Sequence, residues 1–311
     1  MNLPTTLVLG VCSITLTCDV HSSASSSIAI GDTALALVNA QLAFGPRNPG
    51  SVGHARTGDW ITERLRLRAD TVLVQRWRHV SKQGATLQLR NILARFKPHE
   101  SDRVLFVTHW DTRPVADKDP DPANRHKPIP GANDGASGVA LLLVVADALR
   151  KAPPSVGVDL LFVDGEDYGD FADPDLHDVL IGSRYFAQHL PDSSYRPLYG
   201  VVWDMVGDRN LHIAQEGASV QKAPEVVELV WQAAEQLSYG DVFERRTGVP
   251  VTDDHVALLD AGLRVIDVID LDYRGPEGQD YHHTLEDTAD KLSARSLQVM
   301  ADVAVALVRR R

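Results

Sequence analysis

Acidic and imidazole side chains follow three apolar segments of this sequence, at or near the point where each segment ends. RVLFVT is followed by His109 and Asp111, DLLFVD by Glu166 and Asp167, and GVVWDMV contains Asp204. In open α/β sheets, ligands bind in the crevice outside the carboxyl ends of the strands. If these segments are parallel strands, their polar residues therefore meet at one rim of a sheet.

Two further segments carry polar residues that could reach the same rim. The Gly-rich turn PGANDGASG contains one carboxylate, Asp134, and the adjacent His282 and His283 lie near the end of the chain. The cysteines of the chain are Cys12 and Cys18, so a metal site in the folded body has to use His, Asp and Glu. Such donors bind zinc at about 2.0–2.2 Å. The sequence therefore predicts a cysteine-free zinc site.

Glu166 and Asp167 are adjacent, so the two carboxylates have different roles. If Asp167 binds a metal ion, Glu166 faces a neighbouring position from which it can transfer protons. Two carboxylates with pKa values pushed apart by their environments are a recurring arrangement for acid/base catalysis. Each of these acids, taken singly, is more often a turn or capping residue, as we interpret the acidic loop at 117–121. Their convergence is what favours a functional site.

The elements that must position these residues alternate along the chain. Strands are predicted at 71–77, 87–96, 103–108, 159–164, 200–205 and 264–270. Helices are predicted at 34–44, 57–68, 138–150, 224–237 and 293–308. This alternation predicts one α/β domain over residues 31–311, with a mixed, mostly parallel central sheet and helices on both faces.

Composition narrows the class of partner. The 311 residues include 42 acidic and 31 basic side chains, which gives a formal net charge of −11. Nucleic-acid binding needs a basic surface that this sequence lacks, so we exclude nucleic acid as the main partner. A negative field favours cationic substrates, such as a peptide with a free amino terminus.

Residues 1–30 predict an export signal. The apolar run at 7–16 is too short to cross a bilayer, which takes about 20 residues, but it has the length of the hydrophobic part of a secretory signal. Cys18, followed by a serine-rich stretch, resembles the lipid-attachment cysteine of lipoproteins. We therefore expect a periplasmic or extracellular protein, with a cleaved signal or a lipid anchor at Cys18 as the open alternatives.

Seven motifs in one order resemble the zinc aminopeptidase superfamily and, within it, the bacterial glutaminyl cyclases. They are THWDTRP, PGANDGASGVALLL, FVDGEDYG, IGSRYFA, WDMVG, DDH and HHTLEDT. The early segment FGPRNPGSVGH followed by GDWI also resembles the cyclase branch. The resemblance runs from about residue 44 to the last helix. It implies conversion of the N-terminal glutamine of a peptide or protein to pyroglutamate, with release of ammonia.

The resemblance also implies roles for individual residues. A single zinc ion would be held by Asp134, Asp167 and His283, with Glu166 as the general acid/base. Asp204 would complete an acidic hydrogen-bond network together with one residue of the DDH motif. We favour Asp254 for that position, and Asp253 remains the alternative and a candidate pocket residue. Trp110 and His282 are the other candidate pocket residues. Relatives often have Glu in place of Asp167, and cyclases commonly have Trp in place of His282.

Two other functions remain open. In a two-zinc aminopeptidase, His109 and Asp204 would hold a second metal ion, with Asp111 beside them, Asp134 would bridge, and Glu166 would activate water. The fourteen residues at 168–181 favour the cyclase, because peptidases of this kind connect the same two motifs more briefly. A non-catalytic binding protein is the third hypothesis, and the presence of Glu166 argues against it.

Overall fold

The computed structural model describes residue 1 and residues 21–309 of the chain. The strands of this described part are β1 (Thr71–Val80), β2 (Thr86–Phe96), β3 (Arg103–His109), β4 (Gly157–Val163), β5 (Tyr199–Asp204), β6 (Ile213–Gln215), β7 (Phe243–Thr247) and β8 (Val265–Ile269). Its α-helices are α1 (His21–Leu42), α2 (Val52–Arg66), α3 (Ala136–Lys151), α4 (Ile181–Gln188), α5 (Gly217–Lys222), α6 (Pro224–Gln236), α7 (Asp254–Asp260) and α8 (Ala294–Arg309).

Six strands form the central sheet in the order β1-β2-β4-β3-β5-β8. β2 pairs antiparallel with β1 and with β4, whereas the pairings β4–β3, β3–β5 and β5–β8 are parallel. β6 and β7 form a separate two-stranded sheet. The predicted α/β fold with a mixed, mostly parallel sheet is therefore confirmed.

Alternate residues of the inner strands enter two different cores. In β3, Val104 and Phe106 belong to the larger apolar cluster, and Leu105 and Val107 belong to the cluster on the opposite face. Helices α1, α3 and α8 contact one another over the first face, and α4 and α7 contact each other over the second. Because both faces are covered, an inner strand appears in the sequence as a continuous apolar run.

The four parallel strands β3, β4, β5 and β8 end at the same rim of the sheet. The prediction that their polar residues meet there depends on this direction. Two short helices that contribute to the rim, α4 and α7, were not predicted from the sequence. Their length of eight and seven residues is too short for a clear helical pattern of apolar residues.

The predicted export signal stays a prediction. The apolar run at 7–16 and Cys18 lie outside the described residues, and the boundary placed at residue 30 rests on them. Among the described residues, no helix is both long enough and apolar enough to cross a lipid bilayer.

Candidate metal and catalytic site

A cavity of about 390 Å³ opens at the rim where the parallel strands end. Seven carboxylates line it. Five of them belong to residues singled out in the sequence, namely Asp134, Glu166, Asp167, Asp204 and Asp253, and the other two are Asp117 and Asp170. The imidazoles of His282 and His283 line the same cavity. The structure therefore brings together residues that lie up to about 150 positions apart in the chain, as the three-strand pattern predicted.

Asp134, Asp167 and His283 form a compact set of metal-ligand types. The Nε2 atom of His283 lies 3.6 Å from Oδ2 of Asp134 and 3.3 Å from Oδ1 of Asp167. Two ligands bound to one zinc ion at 2.0–2.2 Å in tetrahedral geometry are roughly 3.4 Å apart. His283 is therefore spaced from each of the two carboxylates as two ligands of one ion are.

The buried oxygens of this set also fit a cation. Oδ2 of Asp134 and Oδ2 of Asp167 are shielded from solvent and accept no hydrogen bond from any described residue. A buried acceptor without a partner is costly, so its presence calls for an ion or a ligand. Three protein ligands with an open fourth position are the usual arrangement of catalytic zinc.

The turn that carries Asp134 is held by glycines and a buried arginine. Gly131 and Gly135 have φ values of 68° and 93°, and a Cβ atom at Gly135 would lie 2.6 Å from the carbonyl oxygen of Asp111. Arg47 is fully buried and donates hydrogen bonds to the carbonyl oxygens of Gly131 and Asp134. The glycines of this motif thus permit the backbone conformation that directs the Asp134 side chain into the cavity.

Asp111 acts on the backbone of the neighbouring strand end. Its carboxylate accepts hydrogen bonds from the N–H groups of Glu166, at 3.1 Å, and Asp167, at 3.3 Å. It is completely buried and does not line the cavity formed by the described residues. Asp111 therefore positions the two catalytic candidates. Its Oδ1 atom also lies 3.7 Å from Nδ1 of His109, and its place beside a second metal ion stays a prediction.

A residue that the sequence interpretation missed supports His283. Oδ1 of Asp117 lies 3.5 Å from Nδ1 of His283, and the same carboxylate receives two hydrogen bonds from Arg113. A carboxylate on the second ring nitrogen orients a metal-binding histidine. Partial burial opposes the shift, but the nearby His283 and the hydrogen bonds from Arg113 hold the pKa of Asp117 well below its usual range. The signal was the Arg113–Asp117 spacing of four residues, which we interpreted as part of a turn.

Glu166 has the surroundings of a proton carrier. Burial raises the pKa of its carboxyl group well above that of an exposed glutamate. His109 opposes this shift, and the charges of Asp167, Asp253 and Asp254 add to it. A carboxyl group that has a raised pKa and borders a cavity is suited to general acid/base catalysis.

His109 lies behind the cavity wall. Its Nε2 atom is 3.1 Å from Oδ1 of Asp134 and 3.1 Å from Oδ1 of Asp204, and the side chain is 1% exposed. Burial disfavours a charge on this ring, but Asp204, Asp111 and Asp134 together raise the pKa of His109 well above its ordinary value. The ring of His109 therefore lies against two carboxylates that line the cavity, without lining that cavity itself.

The two acids of the DDH motif face different ways. Asp253 lines the cavity and caps α7, with its carboxylate accepting the N–H of Asp254. Asp254 is completely buried with its side chain against Ser183, and burial together with the charge of Asp253 raises its pKa well above the usual range. Asp253 is thus the residue at the cavity surface, and the preference for Asp254 in the acidic network beside Glu166 stays a prediction.

Trp110 is not a pocket residue. Its ring is completely buried, stacks on His54 with centroids 4.5 Å apart, and donates its indole N–H to the carbonyl oxygen of Arg90. It follows His109 at the strand end, and successive side chains of a strand point to opposite sides. The predicted pocket role of Trp110 is therefore wrong.

His282 does line the cavity. The ammonium group of Lys118 donates a hydrogen bond of 2.9 Å to Nδ1 of His282. Burial lowers the pKa of His282 well below its ordinary value, and the charge of His283 acts in the same direction. A neutral imidazole and a lysine thus occupy the position where cyclases commonly have a tryptophan.

The segment at 168–181 borders the cavity. Asp170 and Phe171 line it, and Arg113 donates hydrogen bonds to the carbonyl oxygen of Gly169, at 2.9 Å, and to the carboxylate of Asp167, at 3.0 Å. Arg113 therefore connects this segment to a candidate metal ligand. The long connection noted in the sequence forms part of the wall of the site.

Solved structures similar to this chain include both exopeptidases and cyclases. A Zn-dependent exopeptidase from Parabacteroides distasonis is 35% identical, with coverage of 90% of this chain and 98% of that one and a TM-score of 0.85. The glutaminyl cyclase of Bacteroides thetaiotaomicron, bound to N-acetylhistamine, is 34% identical, with the same coverage and a TM-score of 0.85. The glutaminyl cyclase of Tannerella forsythia is 35% identical, also with this coverage, and has a TM-score of 0.84. The resemblance noted in the motifs is therefore confirmed.

The curated relatives of this chain include an aminopeptidase and probable zinc metalloproteases. Aminopeptidase YwaD of Bacillus subtilis is 24% identical over 250 residues, which is 73% of this chain and 47% of the relative. A probable zinc metalloprotease of Pyrenophora tritici-repentis is 29% identical over 219 residues, 65% of this chain and 41% of the relative. The chain thus spans less than half the length of these relatives. The model of peptidase family M28 matches residues 91–308. The chain belongs to peptidase family M28, with a donor set that suits zinc.

Proposed function

We propose that this protein is a glutaminyl-peptide cyclotransferase that uses one zinc ion. It converts the N-terminal glutamine of a peptide or protein to pyroglutamate and releases ammonia. The observation that carries the proposal is the division of the site: one three-ligand set faces the cavity, whereas His109 is enclosed behind Asp134 and Asp204. The cyclases among the similar solved structures support the same activity.

The enclosed histidine favours a single metal ion. In a two-zinc site, His109 and Asp204 would bind the second ion and present it to the substrate. Here the Nε2 atom of His109 lies 3.1 Å from an oxygen of Asp134 and 3.1 Å from an oxygen of Asp204, and the ring is enclosed behind these two carboxylates, away from the cavity. The contact therefore supports a hydrogen-bonded link where the peptidase would need a ligand.

The reaction needs a Lewis acid, a proton carrier and a folded substrate. Zinc held by Asp134, Asp167 and His283 supplies a Lewis acid for an amide carbonyl group. The α-amino nitrogen of the substrate attacks its own γ-carbonyl carbon, and the bond from that carbon to the amide nitrogen breaks. Glu166 accepts the proton that the α-amino nitrogen loses and returns it to the departing nitrogen, which leaves as ammonia.

The other cavity residues hold the substrate in the reactive conformation. Asp204 and Asp253 line the cavity near Glu166 and provide negative charge for the α-ammonium group before it loses its proton. Phe171 and Ile269 give the cavity apolar surface that excludes water from the amide. Because the substrate carries both reacting groups, positioning them replaces an external nucleophile.

An aminopeptidase is the second candidate function. Ligand atoms of His109, Asp134 and Asp204 all lie within 4.8 Å of one another, which is close enough for a second metal ion. The exopeptidase and aminopeptidase relatives are consistent with this alternative. In that case Glu166 would activate water for hydrolysis.

Product analysis together with metal counting tests the proposal. Purified protein is incubated with a Gln-Ala-type peptide and with a Leu-Ala-type peptide as the control substrate, and zinc per chain is measured. We expect ammonia and a pyroglutamyl peptide from the first, no cleavage of the second, and one zinc ion per chain. Release of free glutamine or leucine, with two zinc ions per chain, would instead establish the aminopeptidase.

A further inference from the structure

A second cluster of metal-ligand types lies on the surface, outside the cavity. It consists of His79 near the end of β1, together with His177 and Asp178 from the segment between β4 and α4. Oδ1 of Asp178 lies 2.7 Å from Nε2 of His79 and 3.6 Å from Nε2 of His177. The two imidazole rings have centroids 5.0 Å apart. Three donors thus converge from two separate parts of the fold.

We propose that His79, His177 and Asp178 bind a transition-metal ion, zinc or nickel by their chemistry, at a surface site separate from the candidate active site. Two imidazole nitrogens and one carboxylate oxygen are a donor set suited to these ions. The site is independent of the proposed cyclase activity, because it shares none of its ligands with the cavity.

The surroundings orient the carboxylate, whereas the imidazoles exchange their present hydrogen bonds, to Asp178 and to the carbonyl oxygen of Val80, for the metal ion. The backbone N–H of Lys82 donates a hydrogen bond of 2.9 Å to Oδ2 of Asp178 and so orients the carboxylate, with Oδ1 directed at the histidines. The ammonium group of Lys82 is held elsewhere, by Asp173 and, at 3.4 Å, by Asp175. Three carboxylates, Asp173, Asp175 and Asp178, are near two cations, Lys82 and Arg184, the latter through a hydrogen bond to the carbonyl oxygen of Leu176. A small excess of negative charge remains, which attracts a dication.

The distances need little change to become those of a complex. Ligands of one zinc ion are roughly 3.4 Å apart, so the contact between His79 and Asp178 opens slightly while the one from His177 is already suitable. The His177 side chain is 45% exposed and can adjust. The carbonyl oxygen of Val80, 3.0 Å from Nε2 of His177, or a water molecule can take the fourth position.

A metal ion here would tie the β1–β2 connection to the wall of the cavity. A Cβ atom placed on Gly169 would lie 2.6 Å from Cβ of Asp178, so the backbone at 169 and the Asp178 side chain are in close contact. The carbonyl oxygen of Gly169 also accepts a hydrogen bond from Arg113. Phe171, two residues later, lines the cavity. The site therefore stabilises the segment that forms part of the active-site wall.

Calorimetric titration of the zinc-loaded protein tests the proposal. Protein carrying one equivalent of zinc is titrated with Ni²⁺ and, separately, with Zn²⁺, alongside His177→Ala, Asp178→Asn, Asp204→Asn and the exposed control His126→Ala. We expect a further equivalent to bind to the wild type, His126→Ala and Asp204→Asn. In His177→Ala and Asp178→Asn its affinity falls by more than about tenfold, since even outer contacts of metal sites contribute 10–100-fold.

A second measurement distinguishes a folding defect from the loss of a metal-binding side chain. Because the ion binds the folded state, Ni²⁺ should raise the Tm of the wild type and of His126→Ala, but not that of His177→Ala. The proposal is overturned if the wild type binds no further equivalent. It is also overturned if His177→Ala, with an unchanged Tm in the absence of Ni²⁺, binds that equivalent as the wild type does, or if Asp204→Asn alone abolishes it.

Discussion

Strands β3 and β4 bury charged side chains at both ends, and the two ends are built differently. At the amino end, Asp159 accepts hydrogen bonds from Arg95, at 3.1 Å, from Arg103, at 2.7 and 2.8 Å, and from the hydroxyl of Tyr195, at 2.8 Å. Both carboxylate oxygens are bonded, and two arginines neutralise one acid. The hydrogen bonds and the charge of this buried carboxylate are therefore satisfied by protein groups alone.

At the carboxyl end the acids outnumber the cations. Asp134 and Asp167 each keep one buried oxygen without a hydrogen bond among the described residues, and burial raises the pKa of Glu166. The same sheet thus neutralises a buried carboxylate with arginines at its amino end, whereas the buried carboxylates at the rim have too few cations to neutralise them. The difference indicates that the rim depends on a cation and a substrate from outside the chain, whereas the amino end serves stability.

The largest effect should follow from removal of a metal ligand at the rim. His283→Ala is expected to lose zinc and to fall to background turnover, because it removes the imidazole that lies between Asp134 and Asp167. Zinc content by atomic absorption and ammonia release measure this. His282→Ala is the matched control and should retain zinc. Equal zinc loss in both variants would contradict the ligand assignment.

Glu166→Gln should separate catalysis from metal binding at the same rim. Since the amide keeps the size of the side chain but cannot carry the proton, we expect kcat to fall by roughly 10²–10⁴-fold with zinc content unchanged. Asp170→Asn, also on the cavity wall, serves as the control and should change kcat little. Wild-type turnover in Glu166→Gln would show that another group transfers the proton.

Asp159→Asn tests the amino end of strands β3 and β4, where the buried carboxylate is neutralised by arginines. It leaves Arg103 buried without its counter-charge, so the free energy of unfolding should fall by about 3–5 kcal/mol, while zinc content and kcat per folded molecule stay the same. Urea denaturation measures the loss. Arg245→Ala, which breaks exposed ion pairs with Glu228 and Glu235, should lower the free energy of unfolding far less, because solvent screens these pairs. A loss of zinc in Asp159→Asn would contradict the division between the two ends.

The smallest effect is expected at Asp270, a buried acid just after β8. Burial raises its pKa to about 7, although the N–H groups of His212 and Asp272 donate hydrogen bonds to it. Between the unfolded pKa of 3.8 and about 7, the folded state holds a proton that the unfolded state has lost, so stability falls as the pH rises. This contributes a slope of up to about 1.4 kcal/mol per pH unit.

Asp270→Asn should remove that contribution, because the amide keeps the acceptor but does not titrate. Urea denaturation at several pH values between 4.5 and 7 measures the change in slope. Asp302→Asn, on the partly buried face of α8, is the comparison variant. An identical slope in wild type and Asp270→Asn would mean that Asp270 ionises normally in the folded protein.

The order of strands and the rim of the site were largely predictable. Continuous apolar runs such as the one in β3 identify strands covered on both faces, and the acids that follow them mark one rim. The short α4 and α7 were not predictable, because eight or seven residues carry too little periodicity. Asp117 was missed for a related reason: its contact with His283 joins positions 166 residues apart and leaves no local pattern.

The sequence by itself determined which residue types follow the strands, because the positions of acids after apolar runs are local properties of the chain. The tertiary structure decided which of two adjacent side chains faces the cavity. Asp253 rather than Asp254 lines it, and His109 and Trp110 are both enclosed. Neighbouring residues point in different directions, and which direction meets solvent depends on the helices that cover each face.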